Sequence, residues 1–169
     1  IVWGAQTALT KKHPDLVNRF DYDGIYGTVL NRFVVESAIN HPLTVHGTGG
    51  QKRGFIHIED TAGCIRRAVE NHPEDASRVR IFNQASEVRQ VKELAEMIKE
   101  KTGVEINYIE NPRKERAENN LVIKNEGLQG LGFEPILLQD QLLEDIMFIA
   151  QEYKENINSG VIDSTWAKW

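Results

Sequence analysis

The stretch Leu43–Asp60 carries the residue types that could bind a charged ligand. It is read as a strand, the glycine-rich turn Gly47–Gly50, a basic segment that includes Arg53, and a second strand. Glycines let a backbone approach a ligand closely, and an arginine that follows them can donate two parallel hydrogen bonds to phosphate oxygens. The pattern therefore favours a clamp for a diphosphate. The alternative is a β-hairpin in which the glycines serve the turn and Arg53 is solvated.

Two further arginines could bind the same anion. Arg32 lies in the first turns of a predicted helix near Thr28, where unpaired backbone N–H groups also favour an anion, although an exposed helix arginine is the alternative. Arg113 follows Asn111-Pro112, and the proline stiffens the loop that presents it. The residues alone do not bring these arginines together, so their convergence on one diphosphate is a hypothesis.

Several catalytic patterns are absent from the chain. No G-x-G-x-x-G turn follows an opening strand, and no Tyr is followed four residues later by Lys. The five histidines lack paired metal-ligand spacing. A single cysteine, Cys64, excludes a disulfide within the chain and a cysteine-built metal site. We therefore expect no catalytic residue and no metal site on this chain.

Composition narrows the possible partners and location. A net charge of -5 argues against broad nucleic-acid binding, which needs a basic face. No apolar run has the length of a membrane span, so we expect no membrane association. Nothing at Ile1-Val2-Trp3 resembles a signal peptide, and this favours a cytoplasmic location.

The elements that must position the candidate residues alternate along the chain. The predicted strands are Ile1–Trp3, Leu43–His46, Phe55–Ile58, Val79–Asn83 and Val104–Ile109, and the predicted helices are Thr28–Asn40, Asp60–Asn71, Val91–Lys101, Lys124–Gly130 and Gln139–Glu155. This order predicts a mixed α/β fold that looks like the second half of a larger one.

A set of motifs occurs in a fixed order: Gly24-Ile25-Tyr26-Gly27-Thr28, Leu30-Asn31-Arg32-Phe33, His41-Pro42-Leu43-Thr44-Val45, Gly49-Gly50-Gln51, Arg53-Gly54-Phe55 and Asp60-Thr61. This order resembles the C-terminal half of extended short-chain dehydrogenases that act on nucleotide sugars. A second set is Asn18–Asp23, Phe82-Asn83-Gln84, Asn111-Pro112-Arg113 and Leu131–Pro135. With it, the chain is similar to the UDP-sulfoquinovose synthase family within that class.

The resemblance implies a fold and a reaction. The chain would be the substrate-binding portion of an extended short-chain dehydrogenase, missing most of the Rossmann domain. Residues 1–27 would be a remnant of a Rossmann strand with its connecting loop, and residues 28–169 would form the sugar-nucleotide-binding domain. NAD would be bound mainly by the missing half, so no cofactor is expected on this chain alone. Enzymes of this family oxidise UDP-glucose at C4, eliminate water across C5–C6, add sulfite and reduce C4 again.

The resemblance also implies which residues hold the UDP-sugar. They lie at a helix start, in the strand beside the base, in the clamp and in a late loop: Thr28, Asn31, Arg32, Thr44, His46, Gln51, Arg53 and Arg113. His46 stands where the family has an aromatic ring, so the chain departs from the pattern there.

Two other functions stay open at this point. One is a fragment of a UDP-sugar 4-epimerase or dehydratase. The other is a non-catalytic module that binds sugar nucleotides or pairs with a separate Rossmann domain. A domain separated from its Rossmann half would expose apolar surface, which predicts either self-association into a homo-oligomer or partial disorder in Ala5–Gly27.

Overall fold

The computed structural model describes residues 1–16, 19–75, 77–111 and 116–162. Within these ranges the chain forms five strands, five α-helices and short 3-10 turns. The strands are Val2–Trp3 (β1), Leu43–His46 (β2), Lys52–His57 (β3), Glu87–Gln90 (β4) and Ile106–Ile109 (β5), and the α-helices are Val29–Ala38 (α1), Ile58–Glu70 (α2), Val91–Thr102 (α3), Glu126–Gln129 (α4) and Leu138–Glu152 (α5). The predicted α/β class is confirmed.

The strands belong to two separate sheets. Strand β3 is central in a three-stranded sheet, parallel to β1 and antiparallel to β4. Strand β2 pairs in parallel with β5, with Leu43 opposite Ile106 and His46 opposite Ile109. The hairpin alternative is therefore wrong, because the glycine-rich turn carries the chain from one sheet to the other instead of pairing β2 with β3.

Helix α1 illustrates how local sequence sets an element. The side chain of Thr28 accepts the N–H of Asn31 at 3.2 Å, which satisfies one of the free donors at the helix start. Leu30 and Phe33 then recur on one face and are buried in the main core. The helix was predicted for Thr28–Asn40, and its observed bounds differ from that range by one or two residues.

The strand predicted for Val79–Asn83 is not observed. Val79 and Ile81 alternate as in a strand, but their side chains are 88% and 86% exposed, and no strand is described there. The strand forms instead at β4. The N–H of Ser86, the residue before β4, donates to the carbonyl of Phe55, and β4 continues this antiparallel pairing with β3. Apolar alternation predicted a strand, but pairing with β3 decided where it lies.

Asp60 was predicted to begin a helix, and this was wrong. The strand before it continues to His57, whose Nδ1 accepts the N–H of Glu59 at 3.3 Å and caps α2. Asp60 lies inside the first turn of α2, where its carboxylate accepts the N–H of Ile136 at 2.7 Å. It therefore ties α2 to the segment that leads into α5.

The main core joins elements from the whole described chain. Its buried members include Trp3, Phe33, Leu43, Val45, Phe55, Leu94, Ile98, Leu138 and Leu142. Trp3 belongs to the stretch 1–27, so this stretch packs on the rest of the fold. A second, smaller cluster contains Cys64, which is buried as a small apolar residue in α2. None of the helices in the described ranges is long and apolar enough to cross a membrane.

Asp145, on α5, predicts a dependence of stability on pH. It is 2% exposed, and its carboxylate accepts the N–H of Ala5 at 3.1 Å. Burial raises the pKa of this carboxyl to about 6, and the hydrogen bond from Ala5 opposes that rise. An unfolded Asp has a pKa of about 3.9, so the folded state binds the proton more tightly. Stability should therefore fall as the pH rises from about 4 to about 6.

We expect Asp145→Asn to remove this fall and to raise the free energy of unfolding above pH 6 by up to roughly 3 kcal/mol. Urea unfolding of both proteins on either side of that pH range measures the effect. Glu144→Gln, which removes an exposed carboxylate from the same helix, should keep the fall. An unchanged pH slope in Asp145→Asn would contradict the assignment.

Candidate functional site

The glycine-rich turn Gly47–Gly50 is fixed by its own backbone contacts. Gly47 and Gly49 have φ of 64° and 66°, a region that favours glycine. The N–H of Gly47 donates to the carbonyl of Ile109 at 2.8 Å, and the carbonyl of Gly49 accepts the N–H of Lys92 at 2.9 Å. A Cβ on Gly49 would lie 3.0 Å from that same nitrogen. The fold itself therefore requires glycine here, whether or not a ligand binds.

Two described stretches that follow β5 flank this turn. A Cβ on Gly47 would lie 3.4 Å from the Cβ of Asn111, and a Cβ on Gly50 would lie 2.7 Å from the carbonyl oxygen of Ala117. Arg113 lies in the stretch 112–115, outside the described residues. Its predicted contact with a diphosphate therefore stays a prediction.

Arg53 is the second residue of β3, and Gln51 and Lys52 separate it from the turn. Its side chain is half-buried, and Nη1 donates to the carbonyl oxygen of Lys52 at 3.1 Å. The side chain of Asn119 accepts the N–H of Lys52 at 2.7 Å, so this part of β3 is held firmly.

Arg32 and Thr44 belong to one buried network around Glu36. Arg32 Nη2 donates to the carbonyl of Thr44 at 3.1 Å, and its Nε lies 3.8 Å from Glu36 Oε1. Thr44 donates its N–H to Glu36 at 3.0 Å and its hydroxyl to the same carboxylate. The three residues are between 0% and 8% exposed. Burial raises the pKa of Glu36, while the hydrogen bonds from Thr44 and the charge of Arg32 oppose the rise.

This network changes the interpretation of Arg32. Because Arg32 is buried, the alternative of an exposed helix arginine is wrong. Its guanidinium binds protein groups, and a direct contact with a diphosphate stays a prediction. The sequence reading missed Glu36, although an opposite charge four residues along one helix is the signal that could have found it.

The remaining predicted residues divide between the start of α1 and the turn. Thr28 and Asn31 form the helix cap, and Asn31 Nδ2 donates to the carbonyl of Asp21 at 3.1 Å, which ties the preceding loop to α1. Gln51 is buried beneath the turn, whereas His46, at the end of β2, is partly exposed.

The structure thus groups the predicted residues along a short path. Thr44, His46, Gln51 and Arg53 follow one another through β2, the turn and β3. Arg32 joins them through Thr44, and the first turn of α1 carries Thr28 and Asn31 beside Arg32. Within the described ranges, no group of three or more His, Cys, Asp or Glu side chains is arranged to hold a metal ion.

Known proteins resemble this chain in sequence. No protein-family model matches it. The chloroplastic UDP-sulfoquinovose synthase of Spinacia oleracea is 41% identical over 175 residues, which cover 99% of this chain and 36% of that enzyme. The UDP-sulfoquinovose synthase of Sulfolobus acidocaldarius is 40% identical over 142 residues, which cover 81% of this chain and 35% of that enzyme. The chain therefore spans about a third of the length of these relatives.

Solved structures share its fold. A UDP-glucose 4-epimerase with UDP-glucose from Thermotoga maritima matches 88% of this chain and 43% of its own, with a TM-score of 0.65 and 21% identity. A dTDP-glucose 4,6-dehydratase in complex with NAD from Bacillus anthracis matches 76% of this chain and 42% of its own, with a TM-score of 0.60 and 18% identity. Over the third of those enzymes that it spans, the chain is homologous to UDP-sulfoquinovose synthases and has the fold of extended short-chain epimerases and dehydratases.

Proposed function

We propose that this chain is the UDP-sugar-binding part of a UDP-sulfoquinovose synthase, an enzyme that converts UDP-glucose and sulfite to UDP-sulfoquinovose. One observation carries the proposal: 41% identity to such a synthase over 99% of the chain. The matched solved structures are about half as similar in sequence, so they support the fold alone.

The diphosphate of UDP-glucose would bind beside the glycine-rich turn. Arg53 lies in the first two residues of the strand that follows this turn, and its planar guanidinium can donate two hydrogen bonds to phosphate oxygens. His46 is partly exposed at the other end of the turn, where the nucleoside would lie. Thr28, Asn31 and Gln51 complete the proposed site, and Arg113 belongs to it on the sequence resemblance alone. The contribution of such residues to rate is the positioning of the substrate.

Arg32 and Thr44 have a more specific place in this proposal. Arg32 donates to the carbonyl of Thr44, and Glu36 accepts the N–H of Thr44. These contacts hold the backbone of β2 against α1. Strand β2 leads directly into the turn, and its geometry determines where the turn stands. We therefore propose that these two residues support the ligand site chiefly by fixing β2.

NAD and the catalytic Tyr and Lys would belong to the part of the parent enzyme outside this chain. The chain has no dinucleotide fingerprint and no Tyr and Lys at the required spacing. One fold relative, the dTDP-glucose 4,6-dehydratase, was solved in complex with NAD. The division into residues 1–27 and 28–169, the cytoplasmic location and the homo-oligomer are parts of the same proposal.

A chimera tests the function directly. This chain replaces the matching third of the spinach synthase, and mass spectrometry follows the products from UDP-glucose with and without sulfite. We expect UDP-sulfoquinovose, formed only when sulfite is present. The intact spinach enzyme is the positive control, and bound NAD confirms that the chimera is folded.

Two other outcomes would overturn the proposal. A folded, NAD-containing chimera that makes UDP-galactose without UDP-sulfoquinovose would favour the 4-epimerase, the activity of one fold relative. A chimera that binds UDP-glucose without any turnover would favour the non-catalytic binding module.

A further inference from the structure

Arg89 of β4 lies directly opposite Arg53 of β3. Residues opposite each other in an antiparallel pair place their side chains on the same face, with Cβ atoms about 4.5–5.5 Å apart. Two arginines in this position repel each other, and like charges directly opposite destabilise a sheet. An anion between the two guanidinium groups would convert this repulsion into attraction.

The protein itself supplies a carboxylate to Arg89. Arg89 Nε donates to Glu87 Oε2 at 2.7 Å, and Glu87 Oε1 accepts the N–H of Leu138 at 2.7 Å. The carboxylate of Glu87 is therefore fixed from two sides, and its side chain is only 9% exposed. The carboxylate also orients Arg89, so the guanidinium of Arg89 is held in place before a ligand arrives.

Arg89 keeps hydrogen-bonding capacity for a ligand. An arginine has five N–H donors, and the bond to Glu87 uses only the one on Nε. The side chain of Arg89 is 35% exposed and lies on the face of the sheet that Arg53 shares. A pyrophosphate presents several acceptor oxygens, and two guanidinium groups on one face can bind it together.

We propose that Arg89 is a second diphosphate-binding residue, which acts with Arg53 across the β3–β4 pair. This inference rests on the proposed binding of a UDP-sugar at Arg53. Arg89 was not among the residues implied by the sequence resemblance, and it lies in a strand that the sequence did not predict. Arg53 binds the pyrophosphate from β3, and Arg89 binds it from β4.

Calorimetric titration of the 169-residue chain with UDP and with uridine tests this inference. We expect Arg89→Gln to weaken UDP binding about 10-fold, because hydrogen bonds to a charged group are lost, and to leave uridine binding unchanged. Arg89→Lys keeps the charge beside Glu87 but loses the planar fork, so its affinity for UDP should lie between those of wild type and Arg89→Gln. Arg66→Gln is the matched control, because Arg66 also pairs with a glutamate on its own element but is 69% exposed on α2.

The outcomes separate this inference from the proposed function. UDP binding that is unchanged in Arg89→Gln but weakened in Arg53→Ala would overturn the role of Arg89 and leave the diphosphate site in place. Equal losses for UDP and uridine in Arg89→Gln would also overturn it, since they would show damage to the fold. A folded wild-type chain that binds neither UDP nor UDP-glucose would overturn both proposals.

Discussion

Arg53→Ala should weaken the binding of UDP-glucose to the folded chain by roughly 100-fold. The substitution removes a bidentate, charge-assisted contact to phosphate, and each such hydrogen bond contributes about 1.5–3 kcal/mol. The fold should survive, because the side chain of Arg53 is only half-buried. Isothermal titration calorimetry measures the affinity, and circular dichroism checks the fold.

Arg66→Ala is the control for Arg53→Ala. It removes the same charge from an exposed position on α2, where Arg66 lies 3.9 Å from Glu70. Its affinity for UDP-glucose should equal that of the wild type. If Arg53→Ala also bound with wild-type affinity, the glycine-rich turn and Arg53 would not form the diphosphate site.

Glu36→Ala should cause the largest loss of stability among these substitutions, about 3–5 kcal/mol in the free energy of unfolding. Glu36 is 0% exposed and accepts the N–H and hydroxyl of Thr44 while facing the guanidinium of Arg32. Its removal leaves a buried arginine without that carboxylate and two Thr44 donors without an acceptor. Chemical denaturation of both proteins gives the difference.

The chain offers a matched pair for this experiment. Arg66 and Glu70 have the same i,i+4 spacing as Arg32 and Glu36, but both side chains are more than 60% exposed. Glu70→Ala should therefore change the free energy of unfolding by less than about 0.5 kcal/mol. Similar losses of unfolding free energy in Glu36→Ala and Glu70→Ala would show that burial does not determine how much the Arg32–Glu36 pair contributes to stability.

Local features were predictable from the sequence. The cap at Thr28, the apolar face of α1 and the end of α3 at Gly103 each depend on residues within a few positions of one another. Strand β2 was predicted with its observed bounds, since it begins with apolar residues and ends at the glycine-rich turn. The motif order also identified the family, which the two synthase relatives confirm.

Features that depend on pairing between distant segments were not predictable. Nothing near Leu43 indicates that β2 pairs with β5 rather than with β3. Nothing near Arg89 indicates that it lies opposite Arg53. The burial of Arg32 has the same origin, because tertiary packing decides whether a helix arginine faces solvent or a neighbouring strand. The candidate site stays a prediction, and the sequence did not reveal Glu36 and Arg89, which the fold places beside Arg32 and Arg53.

The most direct test of the account is a crystal structure of this chain with UDP bound. We predict that the pyrophosphate oxygens lie within hydrogen-bonding distance of the Arg53 guanidinium, beside the turn Gly47–Gly50, with Arg89 on the same face. A pyrophosphate bound on another face, with Arg53 remote from every phosphate oxygen, would contradict the account.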